Sequence, residues 1–201
     1  MKKIFAIILA LVCIFSACTF GETPTPEEPL PEGSFYVHGY INSLTGYYVA
    51  VPAEWALIGR DSVQGNLDQA YEIMGFTDVN ALLNQLNEEN DILFSIASTG
   101  EQMVLTYGLS DGITCDKLVE EMDTFKAMLQ ASYTGIEFKE DSGSVTIGEL
   151  TQVMYIGAKY KGHDVSQYFL PAGDHIFVFT FTDVEKEMEH NVISTFSIVK
   201  E

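Results

Sequence analysis

The chain runs to 201 residues and carries 29 acidic side chains against 10 basic ones, a formal net charge of −19. A surplus of that sign repels phosphate backbones and anionic headgroups, which argues against nucleic acid as a partner and against polybasic membrane docking. The acids are dispersed, and no Asp-x-Asp-x-Asp-Gly run gathers them into a calcium loop, so they read as a solvated surface.

Lys2 and Lys3 precede a 12-residue apolar run, Ile4 to Phe15, which ends on Ser16 and Ala17 just before Cys18. A basic start, a short apolar run and small residues at its end read as a secretory signal peptide over residues 1–17. The run is too short for a stable membrane span. Phe15-Ser16-Ala17-Cys18 resembles the lipobox of bacterial lipoproteins, with Phe15 standing where leucine is usual. That resemblance implies that Cys18 takes a diacylglyceryl group and becomes the new N-terminus. Two acyl chains then suffice for attachment. The expected location is the extracytoplasmic face of a cell membrane. In a host with two membranes it is the outer one, because Thr19 is not the Asp that retains many lipoproteins at the inner membrane.

Cleavage before Cys18 leaves Cys115 as the one other thiol, so no intramolecular disulfide is available and stability must come from the core. Residues 18–34 are expected to form the lipidated start and a spacer. Thr19 to Ser34 holds four prolines and four glutamates in 16 residues, too little apolar surface to offset the entropy of ordering. Extended, it would reach about 50 Å at roughly 3.1 Å per residue. Residues 35–201 are long enough for one domain burying about 70% of its unfolded surface.

That domain opens with two short strands, Phe35 to Ile41 and Gly46 to Val51, joined by Asn42-Ser43-Leu44-Thr45. Alternation places Tyr47, Val49 and Val51 on one face, and Pro52 ends the strand shortly before Trp55. Residues 66–89 read as two helices interrupted at Gly75. Ile92, Phe94 and Ile96 then alternate on one strand of a hairpin and Met103, Leu105, Tyr107 and Leu109 on the other, with the turn at Ser98-Thr99-Gly100-Glu101. Thr114 caps the longest predicted helix, whose Leu118, Met122, Phe125 and Leu129 form a core-facing stripe that ends before Gly135.

From Ser144 to Thr182 the pattern is an antiparallel meander: Val145 to Ile147, Gln152 to Tyr160, Val165 to Leu170 and His175 to Thr182. The last strand is apolar at nearly every position and is expected to lie centrally, covered on both faces. Thr182-x-x-Glu185 resembles a capping box, followed by Val184, Met188, Val192 and Phe196 on a C-terminal helix.

Tyr47-Tyr48-Val49-Ala50-Val51-Pro52-Ala53-Glu54-Trp55 resembles the Tyr-x-Phe-x-Tyr-Pro-x-x-Trp corner of the PsbP-like superfamily, and Ile193-Ser194-Thr195-Phe196 resembles its closing helix. The order of elements over residues 35–201 is similar too. The superfamily includes the extrinsic oxygen-evolving-complex protein of photosystem II and many small bacterial lipoproteins. What the resemblance implies is an α+β fold, an antiparallel sheet of about six strands flanked by helices in an α/β/α sandwich, with a binding or accessory role. It passes on no catalytic residues and no photosystem role.

Catalytic patterns are missing from the sequence: it has no Gly-x-Ser-x-Gly elbow, no phosphate loop, no His-Glu-x-x-His and no Cys-x-x-Cys. His163 and His175 bracket one hairpin and could pair around a metal with Asp164 or Asp174, although flanking tight turns explains them equally as solvated end residues. Cys115 opens a helix, where backbone N–H groups favour a thiolate, but no base is adjacent and a small buried residue is the plainer reading. Tyr36, Tyr40, Tyr48 and Trp55 are the candidate binding surface, since large amphipathic rings give contact area at low entropy cost. Trp55 beside a proline turn also reads as a core plug. No cofactor, metal or catalytic group is expected. The leading expectation is a non-enzymatic, lipid-anchored extracytoplasmic binding or accessory protein for an envelope protein or a small ligand. The alternative is an envelope hydrolase or metal-dependent enzyme whose site is assembled from dispersed residues.

Overall fold

The structure, a computed structural model, describes residues 37–42, 45–58, 92–97, 99–110 and 112–198. The expected signal peptide, Cys18, the expected spacer, Tyr36 and the two helices expected over residues 66–89 lie outside them.

The strand His175–Thr182 (β10) organises the molecule. Its Ile, Phe, Val and Thr side chains suit a pleated surface buried on both sides, and six consecutive residues from Ile176 to Phe181 are buried. It pairs antiparallel with Gln102–Leu109 (β5) on one side and His163–Ala172 (β9) on the other. Beyond β5 come Ile92–Ile96 (β4) and Ala56–Ile58 (β3); beyond β9 come Leu150–Tyr160 (β8), then Glu137–Phe138 (β6) and Gly143–Ile147 (β7), both on β8. Among the described residues this is one eight-stranded sheet, and β10 is its central strand, as its composition predicts. A second sheet of three strands has the order Val37–Ile41 (β1), Tyr47–Pro52 (β2), Ser197–Ile198 (β11).

Strand alternation splits the core in two. On one face Phe177, Phe179, Phe181, Tyr168 and Tyr155 pack beneath the small sheet and the helix Lys186–Ser194 (α3). The inner face of the small sheet is Tyr47, Val49 and Val51, the alternation read from the sequence, and all three are fully buried. Tyr47 is the key between the sheets, with its ring 5.5 Å from Phe177 and 6.0 Å from Tyr107 and Phe196. On the other face Met154, Ile156, Phe169, Ile176 and Val178 meet Leu118, Met122 and Phe125 from two helices, Cys115–Glu120 (α1) and Met122–Ser132 (α2). Helices therefore flank the sheet on both faces, the α+β arrangement expected.

Two local expectations change. The helix capped by Thr114 does accept Lys117 N–H at the Thr114 hydroxyl, but it is two helices, because Glu121 sits at φ −91° and ψ 6° between them. No proline or glycine marks that break. The capping box at Thr182 does not form: Thr182 ends β10, and α3 starts at Lys186 behind Glu185, which makes no side-chain cap bond. The reason lies at Asp183, held at φ 56°, whose carboxylate is taken up by His163 and by the Asp164 N–H. Phe196 consequently falls past the end of α3, after its C-cap Thr195.

Candidate functional site

The small sheet presents the first candidate feature. Its turn is built by Asn42, whose side-chain oxygen accepts from the Thr45 N–H at 3.0 Å and whose carbonyl accepts from the Gly46 N–H at 2.9 Å. Gly46 takes φ 68°, which glycine adopts without strain. The register then sets Ile41 opposite Tyr48 on the outward side, while Tyr40 and Tyr47 turn inward. Ile41 is 56% exposed, the most exposed large apolar residue described. Tyr48 is half-buried because its ring lies across Gly39: a Cβ at that glycine would stand 2.7 Å from Tyr48 Cε2. Ile198 on β11, at the opposite edge of this sheet, is 38% exposed.

Of the four residues expected to form a binding surface, only Tyr48 is on this outer face. Tyr40 and Trp55 are each 5% exposed and belong to the core, which corrects their reading as surface residues. Strand alternation turns Tyr40 in toward Tyr47, 5.9 Å away, and the Trp55 N–H closes a turn onto the Pro52 carbonyl that tucks the indole beneath the corner. Tyr36 lies outside the described residues.

A second feature is a polar seat for α3 on the large sheet. The Tyr168 hydroxyl donates to Glu189 at 2.6 Å, and Glu189 is 3% exposed. Burial pushes the Glu189 carboxyl above the usual carboxylate range; the hydrogen bonds from Tyr168 and Ser166 and the charges of Lys186 and Lys139 pull the other way without cancelling it. Burial, then the bond to Glu189, raises the Tyr168 phenol in turn. The Lys186 ammonium lies 4.3 Å from the centre of the Tyr155 ring and donates to Asp141 at 2.9 Å. Lys139 pairs with Asp164 at 2.7 Å, a bond that raises the lysine and lowers the aspartate. His190, its ring edge-on to Tyr168 at 5.9 Å, is held below the usual histidine range by burial and by the charge of Lys186. Gly157 makes room for this seat, since a Cβ there would meet the Tyr155 hydroxyl at 2.5 Å.

The sequence reading missed this cluster. Its signal was Glu189 at three and four positions before Val192 and Ile193, on the apolar stripe of an amphipathic helix where a carboxylate is out of place.

The histidine pair does not assemble. His163 begins β9 and His175 begins β10, and His175 pairs with Ala172 at the far end of β9, so about 30 Å of strand separates the two rings at roughly 3.3 Å per residue. His163 Nδ1 instead lies 2.5 Å from Asp183 Oδ2, and His175 packs edge-on to Tyr107. Among the described residues no three His, Cys, Asp or Glu side chains converge as a metal site. Cys115 is buried, and burial raises its thiol against a lowering bond from Ser144. A small hollow of ≈ 20 Å³ opens between the end of α2 and the sheet, walled by Leu129, Tyr133, Ile156, Val165 and Gln167. That is the space of about one water.

With this arrangement in view, the class of the fold can be stated: it is the PsbP-like α+β fold. The solution structure of cyanobacterial PsbP (CyanoP) from Synechocystis sp. PCC 6803 matches with a TM-score of 0.52, at 11% identity, over 86% of this chain and 98% of that one. A crystal structure from Bacteroides thetaiotaomicron VPI-5482 gives a TM-score of 0.45 at 11% identity over 81% of this chain and 48% of that one, so the chain spans about half its length. The crystal structure of LpqN, involved in cell envelope biogenesis of Mycobacterium tuberculosis, gives 0.37 at 12% identity over 80% and 84%. At such identities the likeness is one of fold, and the cyanobacterial structure carries it. No protein-family model matches the chain, and no curated protein sequence does. Among the described residues no helix is long and apolar enough to cross a membrane.

Proposed function

We propose that this chain is a lipid-anchored, extracytoplasmic accessory protein that docks another envelope protein through the outer face of its small sheet. The observation that carries the reading is Ile41, exposed directly opposite Tyr48 on that face. A β-branched side chain beside a tyrosine resembles the anchor pairs of protein interfaces more than a solvated strand. The Ser-Ala-Cys ending of the N-terminal apolar run supports the anchor, and the proline-rich spacer after it gives the reach such a protein needs. The PsbP-like fold supports an accessory role.

The test is capture from native host membranes with the full-length protein and with Ile41→Asp. A partner retained by the wild-type chain and lost with Ile41→Asp, at unchanged melting temperature, is the expected result. Equal capture by both chains would remove this face from the account.

A further inference from the structure

We propose that Glu189 is a proton-operated latch that fastens α3 and the strand behind it to the large sheet. The geometry supplies both parts of such a device. The first is a carboxylate 3% exposed on the inward side of a short helix, held by the Tyr168 phenol at 2.6 Å and by Ser166. The second is a mechanical link from that helix to the small sheet: the Thr195 hydroxyl at the end of α3 accepts from the Ala50 N–H at 2.8 Å, and β11 pairs with β2 immediately after it. What loosens α3 therefore loosens the sheet that carries Ile41 and Tyr48.

The proton comes from solvent and binds to the Glu189 carboxylate. Tyr168 keeps its own proton throughout and continues to donate to the carboxyl oxygen, so the hydrogen bond survives in both states. What changes is the cost of holding a buried negative charge. The groups acting on it are Lys186 from α3, Tyr168 and Ser166 from β9, and Lys139 from the segment between β6 and β7; around these, Asp141 of that segment and Tyr155 from β8 bear on Lys186, and His190 from α3 lies against Tyr168. Asp164, at the start of β9, ties up Lys139.

Because burial makes the folded carboxyl hold its proton to higher pH than the unfolded chain does, the folded state binds more protons in the interval between the two values. The latch contributes its full stability below the ordinary glutamate value, and that contribution is lost as pH rises through the raised one. His190 acts with the opposite sign: burial favours its neutral ring, so its contribution is lost as pH falls through its lowered value. The two are separable, since only one of them is altered by a change at position 189.

Melting curves of the full-length chain and of Glu189→Gln, from pH 5 to pH 8.5 at fixed ionic strength, test the proposal. Glutamine keeps the acceptor for Tyr168 and removes the charge. The wild-type melting temperature should fall with rising pH more steeply than that of the variant, with the curves close at pH 5 and separated by roughly 2–4 °C or more at pH 8. Parallel curves would overturn the latch. If the variant does not fold, a carboxyl carbon NMR titration of the wild-type protein decides instead: Glu189 must titrate above the ordinary glutamate range, and a midpoint within or below that range refutes the proposal.

Discussion

The phenol of Tyr168 and the carboxylate of Glu189, both almost fully withdrawn from solvent, meet across the interface between a central strand and the closing helix at 2.6 Å. A buried acceptor with so few donors is sensitive to losing one. Tyr168→Phe should destabilise the domain by about 1–3 kcal/mol near neutral pH, because Glu189 is left without that donor. Lowering the pH protonates the carboxyl and should return part of the loss. Urea melts at pH 8 and pH 5 check this, and a loss that does not shrink toward pH 5 would contradict it.

Trp55 is a second core residue whose removal has a definite expected size. It is 5% exposed and belongs to the cluster that joins the two sheets. Trp55→Ala should cost about 3–5 kcal/mol, a large share of the roughly 5–15 kcal/mol that holds a domain. Equilibrium denaturation measures it, and a variant that melts like the wild-type protein would mean that the indole is not buried.

Two tyrosines in this fold lie over glycines, Tyr48 over Gly39 and Tyr155 over Gly157. Neither glycine needs an unusual backbone; each is required for the space a side chain would fill. Gly157→Ala should displace Tyr155 from under the Lys186 ammonium and destabilise by about 1–3 kcal/mol through overpacking. Gly39 lies on the edge strand β1, and Gly39→Ala displaces the Tyr48 ring on the outer face of the small sheet, where it can swing outward, so its cost should be smaller. Paired thermal melts of the two variants give the comparison, and the reverse order would show that the ring over Gly39 is the more tightly held.

The membrane anchor is predicted from Cys18 alone. Cys18→Ala should abolish labelling by a fatty-acid probe and release the protein from the membrane fraction. Labelling that persists in the variant would place the lipid at another residue.

What the sequence made legible follows from how each feature is encoded. β10 announced itself, since a run that is apolar on both faces can rest only at the centre of a covered sheet, and Tyr47, Val49 and Val51 declared their inward face by period two. The strands β3, β6 and β11 are two or three residues long, too short to show any period, and they exist because a neighbouring strand offers an edge. The candidate surface was half legible. Alternation says that half of Tyr36, Tyr40, Tyr47 and Tyr48 must face inward, but which half depends on the register of β1 with β2. The seat around Glu189 joins residues from α3, β8, β9 and the segment after β6, and no spacing rule connects them. The separation of His163 from His175 follows from antiparallel order: each residue opens its strand, and the starts of two strands joined by a tight turn lie at opposite ends.

The central claim, docking through the outer face of the small sheet, is tested most directly by site-specific photocrosslinking in native membranes. A photoreactive phenylalanine replaces Ile41 in one full-length chain and, in another, the exposed Glu120 of α1 on the opposite side of the large sheet. The account predicts a discrete crosslinked product from position 41 and none from position 120. Crosslinking from both positions alike, or from position 120 alone, would contradict it.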